Sequence, residues 1–226
     1  HADLKDAEWI KEIYTALLSK CKSFGDHNTL TNAIQETLGD SAWVKQIYTG
    51  LESKATGNGD LMKLAAVAIE KFNDKEWAKK LVGAAAGKAK TVYDFTFAGS
   101  VTLNLLGDRD GALALYKSAE GLCASKQDYA GLVALVKQQT SDKAILSELL
   151  VLGRQKLTEF SDQIFLAETL LVEAQDAENA AAVYEDAELN ALTNDTLSQL
   201  GTSVSNRLGD AKWASRVLGK LNKVMQ

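Results

Sequence analysis

The sequence contains no proline and only two cysteines among its 226 residues. Proline interrupts helices, and the chain is rich in the residues that favour helices, so the composition predicts an all-α protein. Two cysteines are too few for a disulfide framework. No apolar stretch approaches the roughly 20 residues that a transmembrane helix needs, and no secretory signal is visible. The sequence therefore favours a cytoplasmic location without membrane contact.

Catalytic and metal-binding motifs are also missing. Only His1 and His27 are present, and there is no CxxC, HExxH, Walker or GxSxG motif, so a zinc site or a triad would depend on His27 alone. The segment 108–111 resembles the start of a calcium loop but lacks the further ligands. We therefore expect no enzymatic activity, no metal and no cofactor. The net charge of −5 argues against a partner that is a nucleic acid, which requires clustered Lys and Arg.

Aspartate recurs along the chain at a constant spacing of 34 residues. The members of this column are Asp6, Asp40, Asp74, Asp108, Asp142, Asp176 and Asp210. A fixed period of this length is typical of stacked repeats. All four tryptophans lie three residues after one of these aspartates, and small or apolar residues dominate the columns at offsets 4, 8 and 11, which form one helix face. Each aspartate is therefore predicted to be the N-cap of a helix of about 15 residues.

A second aspartate column begins a second helical pattern in each repeat. It lies 14 residues before the first column, at Asp26, Asp60, Asp94, Asp128 and Asp162, and shifts by one residue to Asp195. The repeat is thus a first helix, a tight turn, a second helix and a short loop. The sequence predicts one repeat domain over 1–226 with about 13 helices. Its parts are a lone helix at 6–22 and the pairs 26–56, 60–90, 94–125, 128–158, 162–192 and 195–226.

The spacing of small and aromatic residues on the second helix resembles the tetratricopeptide repeat, or the related half-a-tetratricopeptide repeat. The residues that carry the resemblance are Ala112–Tyr116–Ala119, Ala180–Tyr184–Ala187 and the Leu-Gly-Asp turns at 38–40, 106–108 and 208–210. The chain departs from the family by lacking proline late in the second helix and an aromatic residue early in the first. The resemblance implies an α-α superhelix, or solenoid, with a concave groove lined mainly by the first helices.

This groove is the candidate binding site. The candidate residues on the free face of the first helices are Thr29, Asn32, Glu36, Lys63, Glu70, Phe97, Asn104, Gln138, Phe165 and Glu168. Phe97 and Phe165 are the candidate anchors, because exposed aromatic side chains contribute strongly to interfaces, and burial between helices is the alternative for both. Lys63 is the only basic candidate, which argues against the tetratricopeptide mode that grips chaperone C-terminal carboxylates with several Lys and Arg residues.

The repeated columns have structural interpretations that we favour over ligand sites. We expect the tryptophans to pack rather than to form an aromatic cage, and the aspartates to cap helices rather than to bind calcium or catalyse a reaction. Cys21 and Cys123 share an apolar column three repeats apart, so we expect both to be buried and unbridged.

The sequence therefore predicts a non-catalytic scaffold that binds a protein or peptide in its groove. The alternatives are a helical-repeat RNA-binding module, an enzyme or small-ligand binder with an enclosed pocket, and a structural segment of a larger protein. The pattern both begins and ends with a second helix, whose apolar face a neighbouring helix would cover. We expect either truncation of a longer array or a homo-oligomer formed through these ends.

Overall fold

The computed structural model describes the backbone of residues 2–221 and the side chains of residues 6–221. His1 and the end of the last predicted pair, 222–226, lie outside the described residues. The described chain is all-helical, with thirteen α-helices and no strand, which confirms the predicted class of 34-residue helix–turn–helix repeats. The residues divide into two compact units, unit 1 (His1–Lys88) and unit 2 (Ala89–Gln226).

Within each unit, first and second helices alternate and consecutive helices are in contact. The described helices of unit 1 are α1 (Ala2–Leu18), α2 (Phe24–Leu38), α3 (Ser41–Glu52), α4 (Asn58–Glu70) and α5 (Lys75–Ala86). Those of unit 2 are α6 (Val92–Asn104), α7 (Arg109–Glu120), α8 (Lys126–Gln139), α9 (Lys143–Gly153), α10 (Phe160–Thr169), α11 (Ala177–Asn190), α12 (Asn194–Ser203) and α13 (Ala211–Leu218). One π turn extends α10 over Leu170–Ala174, and another extends α12 over Val204–Leu208.

The predicted N-caps are confirmed for six of the seven aspartates. Each accepts a hydrogen bond from a backbone N–H group in the first turn of its helix. The six are Asp40, Asp74, Asp108, Asp142, Asp176 and Asp210. The prediction is wrong for Asp6, because α1 already begins at Ala2 and the lone helix predicted at 6–22 lies at 2–18.

The second aspartate column supports the first helices from inside the first turn. In three helices the aspartate is the third residue and exchanges hydrogen bonds with a Ser or Thr N-cap, which is a capping box. The three pairs are Ser23–Asp26, Thr91–Asp94 and Ser125–Asp128. Five of the six first helices are followed by a residue with a left-handed backbone conformation, at Gly39, Asn73, Gly107, Gln175 and Gly209. The exception is α8, which is followed by Thr140 with an extended backbone.

The small–aromatic–small motif forms the core of unit 2. The side chains of Ala112, Tyr116, Ala119, Ala180, Tyr184 and Ala187 are all fully buried. Gly99 of α6 lies against the Tyr116 ring, and a Cβ at this glycine would approach the ring to 2.8 Å. A larger residue at position 99 would therefore push the ring out of its place.

Charged pairs join successive second helices within each unit. The Lys11 Nζ atom lies 2.6 Å from Asp40, and Lys45 Nζ lies 2.8 Å from Asp74. In unit 2 the Arg109 Nε atom lies 2.7 Å from Asp142. The capping aspartate of one repeat therefore also binds a cation from the repeat before it.

Two glutamates bind the tryptophan of the following repeat. Glu52 accepts a hydrogen bond from Trp77 Nε1 at 3.1 Å, and Glu188 accepts one from Trp213 Nε1 at 2.7 Å. Both rings are half-buried, so these tryptophans pack between repeats as predicted. The packing prediction is wrong for Trp9, whose residue surface is 63% exposed.

The two cysteines differ in burial. Neither forms a disulfide, and Cys123 is buried as predicted. Cys21 is only half-buried, because it lies at the edge of unit 1 and lines a surface cleft. Burial raises the pKa of the Cys123 thiol to about 11, so this thiol is protonated at neutral pH.

Candidate binding groove

All ten candidate residues lie on first helices, and none of them is fully buried. Five belong to unit 1 and five to unit 2. The ten side chains are therefore at least partly accessible on the surfaces of the two units.

The unit 1 candidates do not converge on one site. Asn32 accepts a hydrogen bond from Lys71 Nζ of the next first helix. The Lys63 Nζ atom lies 5.8 Å from the centre of the Phe24 ring, and Lys63 lines a cleft of about 410 Å³. Thr29 lines a different cleft, of about 360 Å³, between α1 and α2. Glu36 and Glu70 are exposed and line neither cleft.

Unit 2 contains an apolar cleft between two neighbouring first helices, α8 and α10. Its volume is about 350 Å³. The lining residues are Ala130, Val133, Ala134, Lys137, Phe165, Glu168, Thr169, Val172 and Glu173. The Phe165 side chain is half-buried, whereas Val172 is 56% exposed. An exposed valine beside a partly open aromatic ring provides apolar surface that a ligand could cover.

A polar cleft adjoins the apolar cleft, between α10 and α12. Its volume is about 320 Å³, and its lining residues are Glu168, Gln199, Thr202, Ser203, Asn206 and Arg207. Glu168 lines both clefts and so marks the boundary between them. The surface of unit 2 therefore changes from apolar to hydrogen-bonding across α10.

Hydrogen bonds fix the side chains at this boundary. The Ser203 hydroxyl donates to Glu168 Oε1 at 2.6 Å and lies 2.8 Å from the Tyr184 hydroxyl. Burial raises the pKa of Tyr184 above its ordinary value. On the other side of the apolar cleft, the Lys137 Nζ atom lies 2.5 Å from Glu173. The charged side chains around the apolar cleft therefore have hydrogen-bond or ion-pair partners within unit 2.

The remaining unit 2 candidates lie outside both clefts. Phe97 is half-buried and stacks on the exposed Tyr93 ring, with 5.9 Å between ring centres and 14° between ring planes. The Asn104 side-chain amide donates a hydrogen bond to the backbone oxygen of Gln139 at 3.1 Å, so it caps the C-terminus of α8. Gln138 is exposed.

Several cleft residues were not among the candidates, although they occupy the same columns of the repeat. Thirty-four residues after Phe165 and Glu168 come Gln199 and Thr202, and both line the polar cleft. Val172 occupies the column of Glu36, Glu70, Asn104 and Gln138, and its hydrophobicity distinguishes it from them. Extending each column to every repeat would have found these positions. The π turns at the ends of α10 and α12, which place Val172 and Asn206, carry no such signal in the sequence.

In the described chain, no group of three or more His, Cys, Asp or Glu side chains is placed to hold a metal ion. Among the described helices, none combines the length and the apolar character that crossing a membrane requires.

Sequence comparison gives no relative to which this groove could be matched. No protein-family model matches the chain, and no curated protein matches its sequence. The resemblance to tetratricopeptide repeats therefore rests on the residues and helix pairs described above.

Proposed function

We propose that this protein is a non-catalytic scaffold of tetratricopeptide-like repeats that binds a peptide segment of another protein across α8, α10 and α12. The observation that carries the proposal is the apolar cleft at Phe165 and Val172, which lies directly beside the polar cleft at Gln199 and Asn206. Apolar anchors surrounded by hydrogen-bonding groups are the usual anatomy of a protein interface.

The size and chemistry of the clefts favour a peptide as the ligand. The apolar cleft, of about 350 Å³, can take one or two side chains of the ligand. Amide and hydroxyl groups of the polar cleft can pair with the peptide backbone, whose N–H and C=O groups need partners when they leave water. The groove should therefore bind a segment with one apolar side chain followed by a stretch of accessible backbone.

A displayed library of random peptides tests this proposal. The protein is immobilised, binding peptides are selected, and their dissociation constants are measured by fluorescence anisotropy. We expect selected peptides to share an apolar anchor residue. Val172→Lys should weaken their binding by about tenfold or more, because it places a charge on the apolar cleft. Phe165→Ala should act in the same direction.

A matched variant controls for the added charge. Leu192→Lys changes another exposed large apolar residue of unit 2 that lies outside both clefts, and it should leave binding unchanged. Phe97→Ala tests whether the binding surface extends to α6, because it should weaken peptide binding only in that case. Peptides that bind Val172→Lys and the unchanged protein equally well would place the binding site elsewhere and overturn the proposal.

A further inference from the structure

The helix α1 exposes a stripe of large apolar side chains. Trp9, Ile13 and Leu17 are 63%, 40% and 43% exposed, and they follow one another at intervals of one helical turn. Isolated exposed apolar residues are common, but three adjacent ones on a single helix face mark an interaction surface.

The stripe is not the face by which α1 packs in unit 1. That face contains Tyr14, whose hydroxyl lies 2.8 Å from Thr37 Oγ1 of α2. Lys11 also lies away from the stripe: it pairs with Asp40, and its Nζ atom lies 5.6 Å from the centre of the Trp43 ring. Unit 1 therefore fixes α1 through one face and leaves the stripe of Trp9, Ile13 and Leu17 outward.

The repeat itself shows which kind of element covers this face. The residues of α5 that are equivalent to Ile13 and Leu17 are Leu81 and Ala85, and both are fully buried. They lie on the helix that packs most closely in unit 1 against α4, its antiparallel partner within the repeat. An antiparallel helix therefore fits Ile13 and Leu17, whereas Trp77, the residue equivalent to Trp9, also bonds Glu52 of the preceding second helix.

The charges at the two ends of the stripe select a second copy of α1 as that helix. Asp6 precedes Trp9 by three residues on α1, and Lys20 follows Leu17 by three in the turn after the helix, so the two charges lie at opposite ends of the stripe, and both are exposed. When two copies pair antiparallel about Ile13, Asp6 of each copy faces Lys20 of the other. The same register places Trp9 of each copy opposite Leu17, at the mouth of the cleft between α1 and α2.

We infer that this protein forms a two-fold homodimer in which α1 pairs antiparallel with α1 of a second copy, centred on Ile13. The contact is self-complementary, as a two-fold interface must be. Trp9 is its anchor, because a tryptophan that fills an apolar cleft is a typical hot spot. A contact of this size is small, so the dissociation constant should be about 10–100 µM.

Sedimentation equilibrium of the full chain over about 1–500 µM measures this association. Ile13→Asp places two carboxylates against each other at the two-fold axis, and it should weaken the dimer by at least about thirtyfold. Leu189→Asp, which changes an exposed leucine of α11, is the matched control and should leave the dissociation constant unchanged. Far-UV circular dichroism establishes that both variants fold.

Charge reversal tests the antiparallel register without changing the apolar stripe. Asp6→Lys and Lys20→Asp should each weaken the dimer by about three- to tenfold, because each turns two attractive pairs into repulsive ones. The double variant should recover the original affinity, because every pair is again of opposite sign. An equimolar mixture of the two single variants should associate more tightly than either alone.

The outcomes separate self-association from the other ways of covering the stripe. A chain that stays monomeric throughout this range would overturn the inference and would leave a different helical segment as the cover of α1. A dimer whose affinity is unaffected by Ile13→Asp would place the dimer contact elsewhere and would also overturn it. A double variant that stays weak would exclude the antiparallel pairing. None of these results depends on peptide binding in unit 2.

Discussion

Three fully buried tyrosines occupy one column of the repeat, but their hydroxyl groups have different surroundings. Tyr48 donates to Asn28 at 2.7 Å, and Tyr184 lies 2.8 Å from Ser203 Oγ. The Tyr116 hydroxyl is buried without a hydrogen-bond partner. Burial raises the pKa of Tyr116 to about 12. In this repeat Gly99 stands where Thr31 bonds Tyr48, so the ring fits but its hydroxyl has no partner at that position.

We predict that Tyr116→Phe stabilises the protein by about 1 kcal/mol, because it removes a buried polar group that has lost its hydrogen bonds to water. Tyr184→Phe should instead destabilise the protein by about 1 kcal/mol, because it removes a hydrogen bond from within the core. Urea denaturation of the two variants measures the difference. If both substitutions cost the same stability, Tyr116 must have a partner in solution.

At the scale of helices, the repeats of each unit are joined by side chains that reach from one second helix to the next. Glu188 of α11 is the most heavily bonded of these. It accepts from Trp213 Nε1 and binds Arg216 at 2.7 Å and Lys220 at 2.6 Å. Burial by itself would raise the pKa of Glu188, but the hydrogen bonds and the two cations outweigh it and lower the pKa. This carboxylate therefore holds α13 in place.

We predict that Glu188→Ala loosens α13 selectively. Loss of the charged hydrogen bonds should cost about 2 kcal/mol, so amide hydrogen exchange in α13 should accelerate by about thirtyfold. Glu178→Ala, at an exposed acidic position in the first turn of the same helix, is the control and should change exchange in α13 by less than about twofold. Equal acceleration in both variants would show that Glu188 does not fix α13.

Across the whole molecule, the repeated carboxylates couple stability to pH. The Lys11 ammonium group and the backbone N–H of Trp43 lower the pKa of Asp40, and Lys45 with the Trp77 N–H lowers that of Asp74. Arg109 likewise lowers the pKa of Asp142. In the unfolded chain these carboxyls titrate near about 3.9, so on acidification the unfolded state takes up protons first.

The free energy of unfolding should therefore change little between about pH 7 and 5 and decrease as the pH falls below about 4. Urea denaturation at a series of pH values measures this profile. Asp40→Asn and Asp74→Asn keep a side chain that caps helices well but remove the titrating group. In each variant the free energy of unfolding should therefore decrease less steeply below about pH 4. If the free energy of unfolding decreases just as steeply in both variants, the pH dependence belongs to other groups.

The sequence was sufficient for the repeat because the repeat depends on short-range chemistry. The capping aspartates, the turn glycines and the helix faces involve residues only a few positions apart, and their prediction was confirmed nearly everywhere. It was wrong at Asp6 and Trp9 because the sequence pattern assigned α1 the same start and the same covered faces as the later second helices. The columns placed the candidate residues on the first helices, where the structure has them, but which candidates share a cleft could not be read from the columns.

By itself, the sequence determined an all-α chain of 34-residue helix pairs, since helical spacing and capping residues act within one or two turns. Only the tertiary structure decided which side chains of different repeats meet. It brought Phe165 and Val172 into one cleft with α8, left the Tyr116 hydroxyl unpartnered and turned Trp9 outward. The reason is physical: such contacts depend on the rotation and separation of packed helices, which many residues set together.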